Sequence, residues 1–191
     1  MSFQQADNSP EADFSTRSFL VVDDFQGMRT ILRDILRNCG ANAKNIATAA
    51  NGSEAVAQLA ATQFDVVLCD FNLGKGKNGQ QVLEEAKVRQ LVGPACAWIM
   101  VTAEKTSDAV SGAAEYQPDA YLLKPITEAT LRLRLAKIWA KKMAFAEIDR
   151  AVRQGNIAAA LACCDERLRT DKANANDLLR TQVKAFELWE T

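Results

Sequence analysis

Phe19-Leu20-Val21-Val22-Asp23-Asp24 and Val66-Val67-Leu68-Cys69-Asp70 are the stretches on which the reading of this chain turns. Each is a short, continuous apolar run that closes on carboxylates. Two further runs share the form: Trp98-Ile99-Met100-Val101 leads into Thr102, and Tyr121-Leu122-Leu123 leads into Lys124-Pro125. Apolar runs without alternation belong to strands buried on both faces, as in a parallel sheet covered by helices. In such a sheet the carboxyl ends of the strands line one edge, and ligands bind there. Three carboxylates, a hydroxyl and an ammonium are then expected at one rim. Clustered carboxylates repel unless a cation joins them, and Mg²⁺ is a hard cation that takes carboxylate oxygens and keeps room for water and phosphate. The constellation points to Mg²⁺-assisted phosphoryl transfer to a carboxylate.

Between these runs the apolar spacing turns helical. Met28, Ile31, Leu32, Ile35 and Leu36 recur at helical intervals until Gly40 stops them. Ile46-Ala47-Thr48-Ala49 reads as a weak second strand. Asn51-Gly52 opens a helix with Ala55, Val56, Leu59 and Ala60 on one face. A loop rich in Gly and Lys, Leu73-Gly74-Lys75-Gly76-Lys77-Asn78-Gly79, precedes a helix carrying Val82, Leu83, Ala86 and Val88. Ser107 caps a short Ala-rich helix and Thr127 a long one. Strands of this length separated by helices are the βαβ pattern. The fold class is therefore α/β, a doubly wound five-stranded parallel sheet, followed by a C-terminal α-helical extension.

Composition narrows the function classes. A formal net charge of −1 gives no bulk attraction to nucleic acid or to a membrane surface. No apolar run approaches the roughly 20 residues of a membrane helix, and no basic-then-apolar leader is seen. Five cysteines, mostly in apolar surroundings, read as structural thiols in a reducing cytoplasm. The chain has no histidine, so a histidine nucleophile, base or metal ligand is excluded. The Gly/Lys loop lacks the Gly-Lys-Ser/Thr of a nucleotide-binding P-loop.

An acidic pair after the first strand, Asp after the third, Thr after the fourth and Lys-Pro after the fifth resemble the receiver domain of bacterial two-component response regulators. Asp24 to Asp70 spans 46 positions, Asp70 to Thr102 spans 32, and Thr102 to Lys124 spans 22, similar to that family. The resemblance covers residues 18–140 and implies a flavodoxin-like sheet. It implies that Asp70 is the phosphate acceptor. It implies Mg²⁺ on Asp24, Asp70 and the backbone carbonyl of Asn72, with Asp23 acting through water. Lys124 would pair with Asp70 and phosphate, the Thr102 hydroxyl would bond the phosphate, and Tyr121 would swing inward as the switch aromatic. Asn72 and Glu104 flank the path of attacking water, as in the chemotaxis regulators that this stretch resembles, and imply rapid loss of phosphate. A sensor histidine kinase or a histidine phosphotransfer protein is the implied donor. A cis Lys124–Pro125 bond is expected on the same ground. Gln117-Pro118 departs from the family at the entry to the last strand, away from the acidic pocket.

Residues 1–17 are polar and are expected to be a mobile tail. Residues 141–191 form a second region. Eight basic residues between 124 and 153 read as a solvated helix face. Gly155-Asn156-Ile157, Ala160-Leu161, Cys164 and Leu168 resemble the second half of a tetratricopeptide repeat, and 175–191 look like the opening helix of another. Such a unit cannot bury its apolar face alone. An unidentified downstream protein or a second copy of this chain is the expected partner. Two other readings stand beside the phosphorelay. One is a phosphohydrolase with an Asp nucleophile, disfavoured because position 72 lacks the second acid that protonates a leaving group. The other is a phosphorylation-independent scaffold, disfavoured by the complete acidic set.

Overall fold

The computed structural model describes residues 13–93, 95–103, 116–170, 178–179 and 181–182. Five strands form one sheet: β1 (Phe19–Val22), β2 (Ile46–Ala49), β3 (Val66–Asp70), β4 (Ala97–Thr102) and β5 (Ala120–Leu123). The helices are α1 (Gln26–Asn38), α2 (Gly52–Ala61), α3 (Gly79–Val88), α4 (Glu128–Arg153) and α5 (Ile157–Thr170). The strand order is β2-β1-β3-β4-β5, with every pairing parallel. One compact unit runs to Ile138 and a second begins at Trp139.

The apolar runs are strands because both faces of the sheet are covered, and successive side chains divide between two cores. Phe19, Val21, Val66, Leu68, Ala97, Ile99 and Val101 meet Leu32 and Leu36 of α1 and Leu131, Leu135 and Ile138 of α4. Leu20, Val22, Val67, Cys69, Trp98 and Met100 meet Ala55, Val56 and Leu59 of α2 and Val82, Leu83 and Ala86 of α3. Every residue of β1, β3 and β4 is buried. None of the five cysteines forms a disulfide.

The helices start where side chains satisfy their first N–H groups. The Asn51 carboxamide accepts from the Glu54 N–H at 2.9 Å, and the Glu54 carboxylate accepts from the Ala50 N–H at 2.8 Å. Asn78 and Gln81 form a reciprocal capping box at α3. Thr127 caps α4 through the Thr130 N–H at 3.2 Å. The apolar periodicity overstates three positions: Ile31 and Val88 are exposed, and so is Ala60. The Ser107 helix lies outside the described residues. Residues 1–12 also lie outside them, but the tail expected to run to residue 17 is corrected at Phe14. Its ring is buried in the first core and meets Phe19 edge-on at 6.3 Å.

In the second unit, Gly155 takes a positive φ of 69° and turns the chain between α4 and α5. The Asn156 side chain caps α5 by accepting from the Ala159 N–H at 3.1 Å. Ile148, Ala151, Ala160, Cys164 and Leu178 form a third, separate core. Among the described residues, the two cores of the first unit draw on nothing beyond Ile138. Deleting residues 143–191 is therefore expected to leave a first unit with a single cooperative urea transition. A truncated chain without a transition would show that the helices belong to one core.

Candidate functional site

Register carries the polar residues to one edge. Val22 pairs with Cys69, so Asp23 and Asp70 follow at the same level on adjacent central strands. Asp70 pairs with Val101, and Thr102 with Leu123, so Thr102 and Lys124 lie at successive levels on the same edge. β1 connects onward to β2 on one side and its other neighbour β3 connects onward to β4 on the other, so the two connections diverge and open a crevice between the carboxyl ends of β1 and β3. By strand alternation, Asp23 continues the Phe19-Val21 face and Asp70 the Val66-Leu68 face. Both carboxylates therefore stand on the side of the sheet covered by α1 and α4.

Each group is held. Lys124 Nζ donates to Asp23 Oδ2 at 2.9 Å and to Asp70 Oδ2 at 2.5 Å. The second oxygen of Asp23 accepts from the Phe25 N–H at 2.9 Å, and that of Asp70 from the Asn72 N–H at 3.2 Å. Asp23, Asp70 and Thr102 are the three buried polar residues of the described chain. Asp24 is exposed. Carboxylate oxygens of Asp23, Asp24 and Asp70 lie within 4.8 Å of one another, a spacing at which a hard divalent cation can take oxygens from all three. The Lys124–Pro125 peptide is cis.

Burial pushes the Asp70 carboxyl above the ordinary range; Lys124 pulls it back and Asp23 adds to the rise. Burial opposes the charge on Lys124, but its hydrogen bonds to Asp70 and Asp23 outweigh this and hold the ammonium above its usual value. Burial also raises the Tyr121 phenol. Tyr121 is half-buried, packs against the second core and lines a groove of about 340 Å³ with Leu123, Leu133, Arg134 and Lys137. Of the site residues read from sequence, Asp23, Asp24, Asp70, Asn72, Thr102 and Lys124 come together at this edge. Glu104 lies outside the described residues.

Three supporting residues escaped the sequence. Arg29 donates to the backbone carbonyls of Asp23 at 2.6 Å and Asp24 at 3.2 Å, fixing the loop after β1. Nothing separates it in sequence from an ordinary helix-surface arginine. A Cβ at Gly79 would lie 2.2 Å from the Asp70 carbonyl oxygen, so only glycine lets α3 begin directly against the end of β3. A Cβ at Gly74, whose φ is +68°, would lie 3.1 Å from Asp24 Oδ2.

With this geometry fixed, comparison with protein families matches residues 19–136 to the response regulator receiver domain. The chain belongs to that family. It is 34% identical over 120 residues to chemotaxis protein CheY-3 of Vibrio cholerae serotype O1, covering 63% of this chain and 89% of that protein. The structure of chemotaxis protein CheY4 of Vibrio cholerae superposes with a TM-score of 0.57 at 24% identity, over 64% of this receiver-containing chain and 98% of the other. Response regulator TrrA of Thermotoga maritima, solved in complex with Mg²⁺-BeF, gives 0.53 at 27% identity, over 64% and 98%.

The raised Asp70 value sets a sign for stability. Without a divalent cation, ionising Asp70 costs the folded receiver. That cost is full above its folded-state value and absent below the unfolded value near 3.8, so this contribution falls as pH rises through the interval. Asp70→Asn is expected to resist urea better than wild type at neutral pH in chelator. The advantage should shrink as the pH is lowered toward about 4. A wild type more stable than the variant at neutral pH would contradict it.

Proposed function

We propose that this receiver is the phosphorylated switch of a two-component phosphorelay, with Asp70 as acceptor. The observation that carries this reading is the joint hold of Lys124 on Asp23 and Asp70 at the carboxyl edge of the sheet. A carboxylate oxygen of Asp70 attacks the phosphorus of a phosphohistidine on a sensor kinase or phosphotransfer protein. The P–N bond breaks and its electron pair stays on the imidazole nitrogen, which takes a proton from solvent. Asp24, Asp70 and the Asn72 carbonyl would hold Mg²⁺ directly, with Asp23 acting through water. That ion, when bound, neutralises phosphoryl oxygens and lowers repulsion from the carboxylates. Lys124 keeps its contact with Asp70 and shifts from Asp23 toward the transferred group, and the Thr102 hydroxyl donates to it.

A phosphoryl group adds about −1.5 to −2 charge and three acceptor oxygens. Drawing Thr102 toward it vacates space beside β5 for Tyr121 to turn inward. Because Tyr121 lines the adjoining groove, the receiver surface changes shape with it. The second unit is the protein-binding output, a helix–turn–helix of tetratricopeptide character that engages a downstream protein or a second copy of this chain. A cytoplasmic site of action fits phosphorelay chemistry and the five cysteines without disulfides. Among the described residues, no helix is long and apolar enough to cross a membrane.

Acetyl phosphate with Mg²⁺ should phosphorylate wild type and leave Asp70→Asn unlabelled after borohydride trapping. Equal labelling would overturn the acceptor assignment. In the same series Asp24→Ala is expected to weaken Mg²⁺ binding by at least about tenfold, because it removes a direct ligand. Unchanged affinity would refute that role.

Asn72, exposed beside the acceptor, gives the phosphorylated state a short life by orienting an attacking water in line with phosphorus. Glu104, two positions after Thr102 in sequence, is assigned the matching role. Decay after donor removal should slow by roughly tenfold or more in Asn72→Met, the scale of a lost positioning group. Persistence of phosphate for hours in wild type, or no change in either Asn72→Met or Glu104→Ala, would end this part of the proposal.

A further inference from the structure

We infer that Lys75, in the loop between β3 and α3, is a positioning residue that steers anionic phosphoryl donors to the acidic pocket. The inference rests on the reading of Asp70 as acceptor. Gly74 passes so close to Asp24 that a Cβ there would lie 3.1 Å from Oδ2. The loop backbone therefore runs along the outer, exposed wall of the pocket, and Lys75 leaves it one residue further on. Its four-carbon stem is long enough to bring a flexible point charge to that rim.

The other cations nearby are already engaged. Lys124 is held by two carboxylates and Arg29 by two backbone carbonyls. Lys77 pairs with Glu85. Lys75 is exposed and has no hydrogen bond or ion pair among the described residues.

The need for such a charge follows from the pocket's own field. A donor such as acetyl phosphate approaches as a dianion toward three carboxylates within 4.8 Å of one another. Lys124 offsets part of that charge, but its half-buried ammonium is committed to Asp23 and Asp70, so it acts late in the approach. A mobile cation at the mouth raises the local concentration of anions and orients them before contact. The bonding is unchanged. An Asp70 oxygen attacks phosphorus, the P–O bond to acetate breaks, and acetate leaves with the electron pair.

The test measures the second-order rate of phosphorylation by acetyl phosphate with Mg²⁺ in full-length protein. Wild type is compared with Lys75→Ala, Lys75→Glu, Lys44→Glu and Asp70→Asn. Lys44, in the turn that enters β2 at the opposite edge of the sheet, controls for net charge. At low ionic strength Lys75→Glu should be slower by roughly three- to tenfold, and Lys75→Ala by less. The gap should close near about 1 M salt, where screening acts within a few ångströms. Mg²⁺ titration should give tighter binding in Lys75→Glu, because the cation meets less repulsion.

A rate equal to wild type overturns the role of Lys75. So does a loss that persists at high salt, or an equal loss in Lys44→Glu. These outcomes leave the acceptor reading standing, since wild type would still label and Asp70→Asn would not. If Asp70→Asn labels like wild type, or wild type does not label, the acceptor reading fails and the role of Lys75 falls with it.

Discussion

One ammonium holds the acidic edge together. Lys124 reaches Asp23 and Asp70 at once, and without it two carboxylates at adjacent strand ends would face each other in a largely dry crevice. The repulsion is strong where water is scarce, because charges interact through a lower effective dielectric there. Burial of the pair is therefore sustainable only while a cation sits between them. This is a charge balance with one deficit: three carboxylates, one engaged ammonium, and an exposed Asp24 on the open side. The spacing of the three carboxylates suits a hard divalent cation.

The rest of the receiver keeps those groups in register. Parallel pairing of β1 with β3 brings Asp23 and Asp70 level, and the pairings of β4 and β5 bring Thr102 and Lys124 up to meet them. Two cores clamp the sheet from either side, so the strand ends cannot slip without turning apolar side chains to water. Arg29 pins the loop after β1, and Gly79 lets α3 begin against the Asp70 carbonyl. Each is a backbone device that serves an electrostatic end.

Much of this was legible in the sequence because the residues that make the sheet also aim the chemistry. The runs at Phe19–Val22 and Val66–Asp70 are strands because they are buried on both faces, and their terminal carboxylates mark the edge without further information. Helix faces were read less well. Ile31, Ala60 and Val88 fit a 3.6-residue period yet face solvent, because a stripe defines a face but not how far the sheet extends to cover it. Phe14 was missed because one aromatic in a polar stretch has no period; its burial depends on the edge of the first core being open there. Arg29, Gly74 and Gly79 were missed because their partners are backbone atoms or residues brought close only by folding. In the second unit, Gly155 and Asn156 announced the turn, and Ile148 and Leu178 meet only through the third core.

Lys124 balances the carboxylates, and by its charge it competes with a divalent cation instead of serving as its ligand. The most direct measurement is calorimetric Mg²⁺ titration of wild type and Lys124→Ala at neutral pH. Removing one positive charge from the crevice should tighten Mg²⁺ binding by at least about tenfold, since even at the dielectric of water a unit charge and a divalent ion about 4 Å apart interact by about 2 kcal/mol. Weaker or abolished binding in a folded Lys124→Ala protein would show instead that the ammonium supports the cation.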